Sequence, residues 1–167
     1  VKFWIMACSA ALPTARPGRT NAIHTKTTAM SRPTERLSMI NIGIVDDHAI
    51  VRSGLRQFLS EHVDLRVVAE ASNGREAIDL VRNHQVDVLL MDLAMPGQSG
   101  LDALAMLRAK APDMGILILS GYPEEHYAIS LIRQGASGYL NKECEPKEIV
   151  EAIRTIFNDA IVHTTAL

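Results

Sequence analysis

From Met39 onward the chain alternates short, continuous apolar runs with segments of helical period, five times over, and that alternation leaves few folds open. Ile40, Ile42, Ile44 and Val45 form the first run, which ends in Asp46-Asp47. Val51, Leu55, Phe58 and Leu59 then recur at helical spacing. Leu65 to Ala69 predicts a second strand. Asn73-Gly74-Arg75-Glu76 opens a second helix, with Asn73 as N-cap and Glu76 three residues on, and its apolar face is Ala77, Leu80 and Val81. Val86 to Met91 is a third run, closed by Asp92. Ser99-Gly100-Leu101-Asp102 is another capping box, with Leu101, Leu104 and Ala105 expected inward. Ile116 to Leu119 predicts a fourth strand closed by Ser120. Pro123 begins a helix through Ala128, Leu131 and Ile132, which Gly135 stops. Ser137 to Leu140 is a short fifth strand followed by Lys142, and Pro146 opens a last helix carrying Ile149, Ile153 and Ile156. Strands apolar throughout and separated by helices require a parallel sheet covered on both faces. The expectation is a doubly wound α/β domain of five strands and five helices over residues 39–157, with residues 158–167 as a C-terminal tail.

The first 38 residues read differently. A short apolar stretch, Phe3 to Leu12, gives way to a Thr/Arg/Pro/Ala mixture without period. Lys2 and the small residues from Ala7 to Ala15 suggest a signal peptide, and Ile5-Met6-Ala7-Cys8 a lipoprotein box, but the apolar region is poor for either. Residues 1–38 are therefore expected to be an irregular extension, disordered or non-native, ahead of a start at Met30 or Met39. Six cations stand there against Glu35 alone, which leaves 11 cations against 18 acids in the remainder. An acidic globular part argues against a nucleic-acid-binding surface. Its aromatic content is only 4%, so the core is aliphatic, as layered α/β packing prefers. Cys8 and Cys144 lie in parts of unlike character, which argues against a disulfide and for a reducing, cytoplasmic setting. No apolar run approaches the roughly 18 residues of a membrane span.

Four of the five strands finish on, or just before, a residue with useful chemistry: Asp46 and Asp47, Asp92, Ser120, and Lys142. In an open α/β sheet, ligands bind beyond the carboxyl ends of the strands, where the strand order reverses. The order 2-1-3-4-5, adopted from known doubly wound precedents, makes strands 1 and 3 neighbours and gathers Asp46, Asp47 and Asp92 in one cleft. Three converging carboxylates resist ionising together, and a hard divalent cation relieves that cost. Mg²⁺ suits the cleft, because it takes a carboxylate or two and keeps several waters. A carboxylate oxygen then serves as nucleophile toward a phosphoryl group, giving an aspartyl phosphate. Such transfer depends on positioning and charge neutralisation, for which Lys142 and Ser120 supply a cation and a hydroxyl. Singly, these residues have ordinary readings: a helix cap or turn for Asp46-Asp47, a turn for Ser120, a solvated cation for Lys142. Asp92 is more pointed, since a charge ending an apolar strand needs a partner. Their joint occurrence on separate strand ends carries the argument.

Four blocks, Ile44-Val45-Asp46-Asp47-His48, Met91-Asp92-Leu93-Ala94-Met95-Pro96, Leu119-Ser120-Gly121 and Gly135-Ala136-Ser137-Gly138-Tyr139-Leu140-Asn141-Lys142, resemble the signatures of bacterial response regulator receiver domains. The similarity runs from about Met39 to Ile156 and is strongest to the NarL/FixJ (LuxR-type) class. It implies a flavodoxin-like receiver fold, a sensor histidine kinase as phosphodonor to Asp92, and a conformational switch in phosphorelay signalling. It also implies that Asp47 and the Ala94 carbonyl ligate Mg²⁺ beside Asp92, with Asp46 acting largely through water. Ser120 and Lys142 would hold the phosphoryl oxygens, and Tyr139 would be the aromatic switch; Tyr139 also reads simply as a half-buried strand aromatic. A phosphorylation-dependent homodimer is a further implied partner.

Three departures stand out. Glu143 follows Lys142 where many receivers have proline, so no cis-prolyl bond is expected. Ala94 and Tyr122 offer no group to orient an attacking water, which implies slow self-dephosphorylation. After Phe157-Asn158-Asp159-Ala160 the sequence shows no basic recognition helix, so DNA binding is not expected of this chain. A phosphohydrolase needs a second carboxylate soon after its nucleophile, which Asp92-Leu93-Ala94 lacks. A flavin protein of this topology needs a phosphate loop after the first strand, also lacking, and a degenerate receiver would not keep the full residue set. Cys144 and His48 have no partner at ligand spacing along the sequence, so neither is expected to bind metal. His48 is read as the start of the first helix, beside a kinase-docking face.

Overall fold

Five apolar runs, each too short to form a helix of its own, become the strands of one sheet. The computed structural model describes residues 38–95, 100–121 and 124–165. In chain order the elements are β1 (Ile40–Val45), α1 (Ala49–Ser60), β2 (Leu65–Ala71), α2 (Gly74–Asn83), β3 (Val88–Asp92), α3 (Gly100–Lys110), β4 (Gly115–Ser120), α4 (Glu124–Arg133), β5 (Gly138–Asn141) and α5 (Pro146–Thr165). All neighbouring strands pair in parallel, in the order β2-β1-β3-β4-β5. This is the doubly wound, flavodoxin-like arrangement, with its switch point between β1 and β3. Among the described residues, no helix is long and apolar enough to cross a membrane.

The two faces of the sheet follow the strand period of two. Ile42, Ile44, Val88, Leu90 and Leu117 face one layer, where they meet Ile153 and other residues of α5 and Leu59 of α1. Val45, Leu89, Met91, Ile116 and Ile118 face the other, against residues of α2, α3 and α4. Covering both faces explains why β3 and β4 are buried at every position. Gly115 is demanded by packing, since a Cβ there would collide with Ile156 Cγ2.

Local chemistry sets the ends. Asn73 caps α2 by accepting a hydrogen bond from the Glu76 amide at 2.9 Å. The Glu76 carboxylate, expected to return to Asn73, instead accepts from the Ser72 amide and hydroxyl, each at 2.8 Å. Gly135 (φ +105°) ends α4 in a left-handed turn: its amide donates to the Ile132 carbonyl at 3.0 Å, and the Ala136 amide to Leu131 at 2.9 Å.

Several boundaries and faces differ from expectation. The third strand starts at Val88, because the Asp87 carboxylate accepts the Asn41 amide at 2.7 Å in place of a ladder carbonyl. Leu101 and Ala105 are exposed on α3, and Gly100, Ala103, Leu104 and Leu107 are buried instead. Leu, Ala and Met are spread around this helix, so its period does not identify the inner face. Helix α5 runs on to Thr165, through most of the segment expected to be a tail, and no glycine or proline after Pro146 interrupts it. Residues 1–37, Pro96, the Ser99 cap, Tyr122, Pro123 and residues 166–167 lie outside the described residues.

Candidate functional site

The register brings the strand ends together. Val45 pairs with Met91 and Asp92 with Leu119, so Asp46, one residue past β1, lies beside the end of β3. Ser120 closes β4 opposite Asn141, and Lys142 follows directly. The Lys142 amide donates to the Ser120 carbonyl at 2.8 Å, which fixes the root of the lysine side chain at this rim. Its Nζ then donates to Asp46 Oδ2 at 2.7 Å and to Asp92 Oδ2 at 2.8 Å.

The carboxylates are held unequally. Asp46 is 3% exposed and fully engaged: Oδ1 accepts the His48 amide at 2.8 Å and Oδ2 accepts Lys142. Its backbone carbonyl accepts Arg52 Nη1 at 2.6 Å. Asp92, 2% exposed, accepts the Ala94 amide on Oδ1 at 3.1 Å. Asp47 differs, because its buried Oδ1 makes no hydrogen bond. His48 Nδ1 stands 2.7 Å from that oxygen, but the ring is directed toward Asp46 Oδ1, 3.2 Å away.

Burial is the largest influence on Lys142 and works against its charge, but its hydrogen bonds and attraction to Asp46 and Asp92 together prevail and raise its pKa above the ordinary value. That one ammonium bonds two of the three carboxylates. A buried carboxylate oxygen without a donor is costly, and a hard cation with oxygen ligands is what it lacks. Ligand atoms of Asp46, Asp47, His48 and Asp92 all lie within 4.8 Å of one another. The donor set therefore fits a divalent cation.

Ser120 is fully buried at the end of β4, and Tyr139 is buried in β5 opposite Ile118, within the layer that packs on α2, α3 and α4. Ala94 is exposed at the rim. Sequence reasoning passed over two residues. His48 lacks a partner at ligand spacing along the sequence, yet the fold brings Asp92 to it from 44 residues away. Arg52 steadies the Asp46 carbonyl and lies 3.5 Å from Glu70, whose carboxylate also accepts Arg56 at 2.8 Å. No local pattern marks that bond, because its acceptor is backbone.

The family model "Response regulator receiver domain" matches residues 42–154. The chain is 40% identical over 120 residues to the response regulator UvrY of Escherichia coli (strain K12), covering 72% of this chain and 55% of that protein. It thus spans about half the length of that curated relative. A LuxR-family two-component response regulator from Aurantimonas sp. SI85-9A1 superposes with a TM-score of 0.70 at 37% identity, over 73% of this chain and 87% of the other. The signal receiver domain of the putative response regulator NarL from Mycobacterium tuberculosis gives a TM-score of 0.68 at 31% identity, over 72% and 98%. The chain therefore belongs to the response regulator receiver family, whose domains are signalling switches rather than classical enzymes, are phosphorylated by sensor histidine kinases, and bind Mg²⁺ in an acidic pocket.

Proposed function

We propose that Asp92 is the phosphoacceptor of this chain and that residues 39–157 form the switching unit. The observation that carries this reading is the Lys142 ammonium bridging two almost fully buried carboxylates, beside a third carboxylate whose Oδ1 has no donor. Asp47, Asp92 and the Ala94 carbonyl would hold Mg²⁺, with Asp46 acting largely through water. When bound, Mg²⁺ supplies neutralisation of the carboxylates and of the incoming phosphoryl oxygens.

The chain's own groups do the rest. An Asp92 carboxylate oxygen attacks phosphorus, the bond from phosphorus to the kinase histidine nitrogen breaks, and the released imidazole takes up a proton. The Ala94 amide orients Asp92. Lys142 and the Ser120 hydroxyl receive the phosphoryl oxygens, and Tyr139 reports the change toward α4. The donor is a sensor histidine kinase that meets this chain in the cytoplasm, and the phosphorylated form assembles as a homodimer.

Acetyl phosphate with Mg²⁺ tests the chemistry. Intact mass should rise by one phosphoryl group in the wild type and not in Asp92→Asn. Equal labelling of the two proteins would place the acceptor elsewhere.

A further inference from the structure

His48 belongs to the same rim yet has no part in the function proposed above. Its side chain is 64% exposed, so it can turn, while the Asp46 and Asp47 side chains beside it are 4% and 26% exposed. Two ligand atoms each about 2.1 Å from a metal lie about 3 Å apart at right angles to one another and about 3.4 Å apart at the tetrahedral angle. His48 Nδ1 stands 2.7 Å from Asp47 Oδ1 and 3.2 Å from Asp46 Oδ1, which are separations of that kind. A neutral imidazole is a poor ligand for Mg²⁺, which takes oxygen, and a good one for Zn²⁺ and its neighbours.

We propose that His48 makes this cleft a mixed nitrogen and oxygen site that captures Zn²⁺ in competition with Mg²⁺, His48 being the residue that sets the selectivity. The proposal rests on the cleft being the cation site of the phosphoacceptor. Zn²⁺ prefers four ligands, so imidazole and carboxylates together fill positions that an incoming phosphoryl group would need. Zn²⁺ is thereby an inhibitory ion for this switch, relieved by excess Mg²⁺.

Zn²⁺ and Mg²⁺ titrations of the full chain, read by the ring ¹⁵N signals of His48 and by calorimetry, test this on the wild type, His48→Ala and Asp47→Asn. Zn²⁺ should shift the His48 ring signals strongly and Mg²⁺ should not. His48→Ala should weaken Zn²⁺ by at least the roughly tenfold to hundredfold that losing a mere outer partner of a metal ligand costs, while leaving Mg²⁺ within about twofold. Asp47→Asn should weaken both. The amide of residue 48 still serves Asp46 in His48→Ala, and matching circular dichroism melts check that the fold is intact. Equal Zn²⁺ affinity in wild type and His48→Ala, with Mg²⁺ bound and lost in Asp47→Asn, would overturn the role of His48 and leave the cation site standing. Mg²⁺ binding indifferent to Asp47→Asn would overturn both.

Discussion

Replacing Lys142 by methionine keeps most of the side-chain volume and removes the cation that joins Asp46 to Asp92. Those carboxylate side chains are only 4% and 1% exposed, so neither can turn to water. Breaking a buried ion pair from one side costs about 3–5 kcal/mol, because the remaining charge is stranded. Here two charges are stranded, but the lysine side chain is 26% exposed and water can follow it out. We expect a loss of about 2–3 kcal/mol in the absence of divalent cations. With a urea dependence of about 1.5–2 kcal/mol per molar for a domain of this size, the midpoint should fall by about 1–2 M. Circular dichroism during urea denaturation, with EDTA or with saturating Mg²⁺, reads the effect. Mg²⁺ should narrow the gap, since the variant offers the ion two carboxylates that no ammonium occupies. An unchanged midpoint in EDTA, or a gap that Mg²⁺ leaves as wide, would refute the reasoning.

Phosphoryl-Asp92 should be long-lived in purified protein with Mg²⁺, and Ala94→Asn at this exposed rim position should shorten its lifetime; a fast decay that the variant leaves unaltered counts against the water-orienting argument. Arg108→Met should cost about 2–3 kcal/mol in thermal or chemical melts, because its half-buried guanidinium donates to the carbonyls of Gly135, Pro112 and Met114 at 3.0, 2.7 and 2.7 Å. Arg154→Met should cost only about 0.5–1 kcal/mol at neutral pH, since that pair is partly solvated. The hydrogen bond from Arg154 holds the Asp64 carboxyl below its ordinary value of 3.8. This contribution is complete above the unfolded-state value and is lost as pH falls through the folded one, so melts of the two proteins should converge in acid.

Much of the fold was legible because strand and helix differ in period, and because four of the five strands ended on, or just before, a residue unlike those before it. Asp46, Asp47, Asp92, Ser120 and Lys142 could be picked out for that reason. The strand order 2-1-3-4-5 holds, but it came from doubly wound precedent, since nothing local to Val45 names Met91 as its neighbour. The inner face of α3 was hidden by apolar residues on every side of the helix. The same limit applies to Arg108, which donates to carbonyls up to 27 residues away and to the Ser137 hydroxyl at 3.5 Å, partners that no local pattern marks. His48 fails on sequence for a related reason: distance along the chain is a poor guide where separate strand ends meet.

The Gly135 turn has a mechanical consequence. At that end α4 is gripped by its own reversed amides and by the Arg108 guanidinium, which ties the turn to the start of β4. The opposite end begins at Glu124, a few residues beyond Ser120 at the acidic rim. A rod clamped at one end cannot slide; it can only swing. Disturbance near Asp92 would therefore reach the molecular surface as a tilt of α4 about a fixed heel, largest where the helix begins and vanishing where it stops.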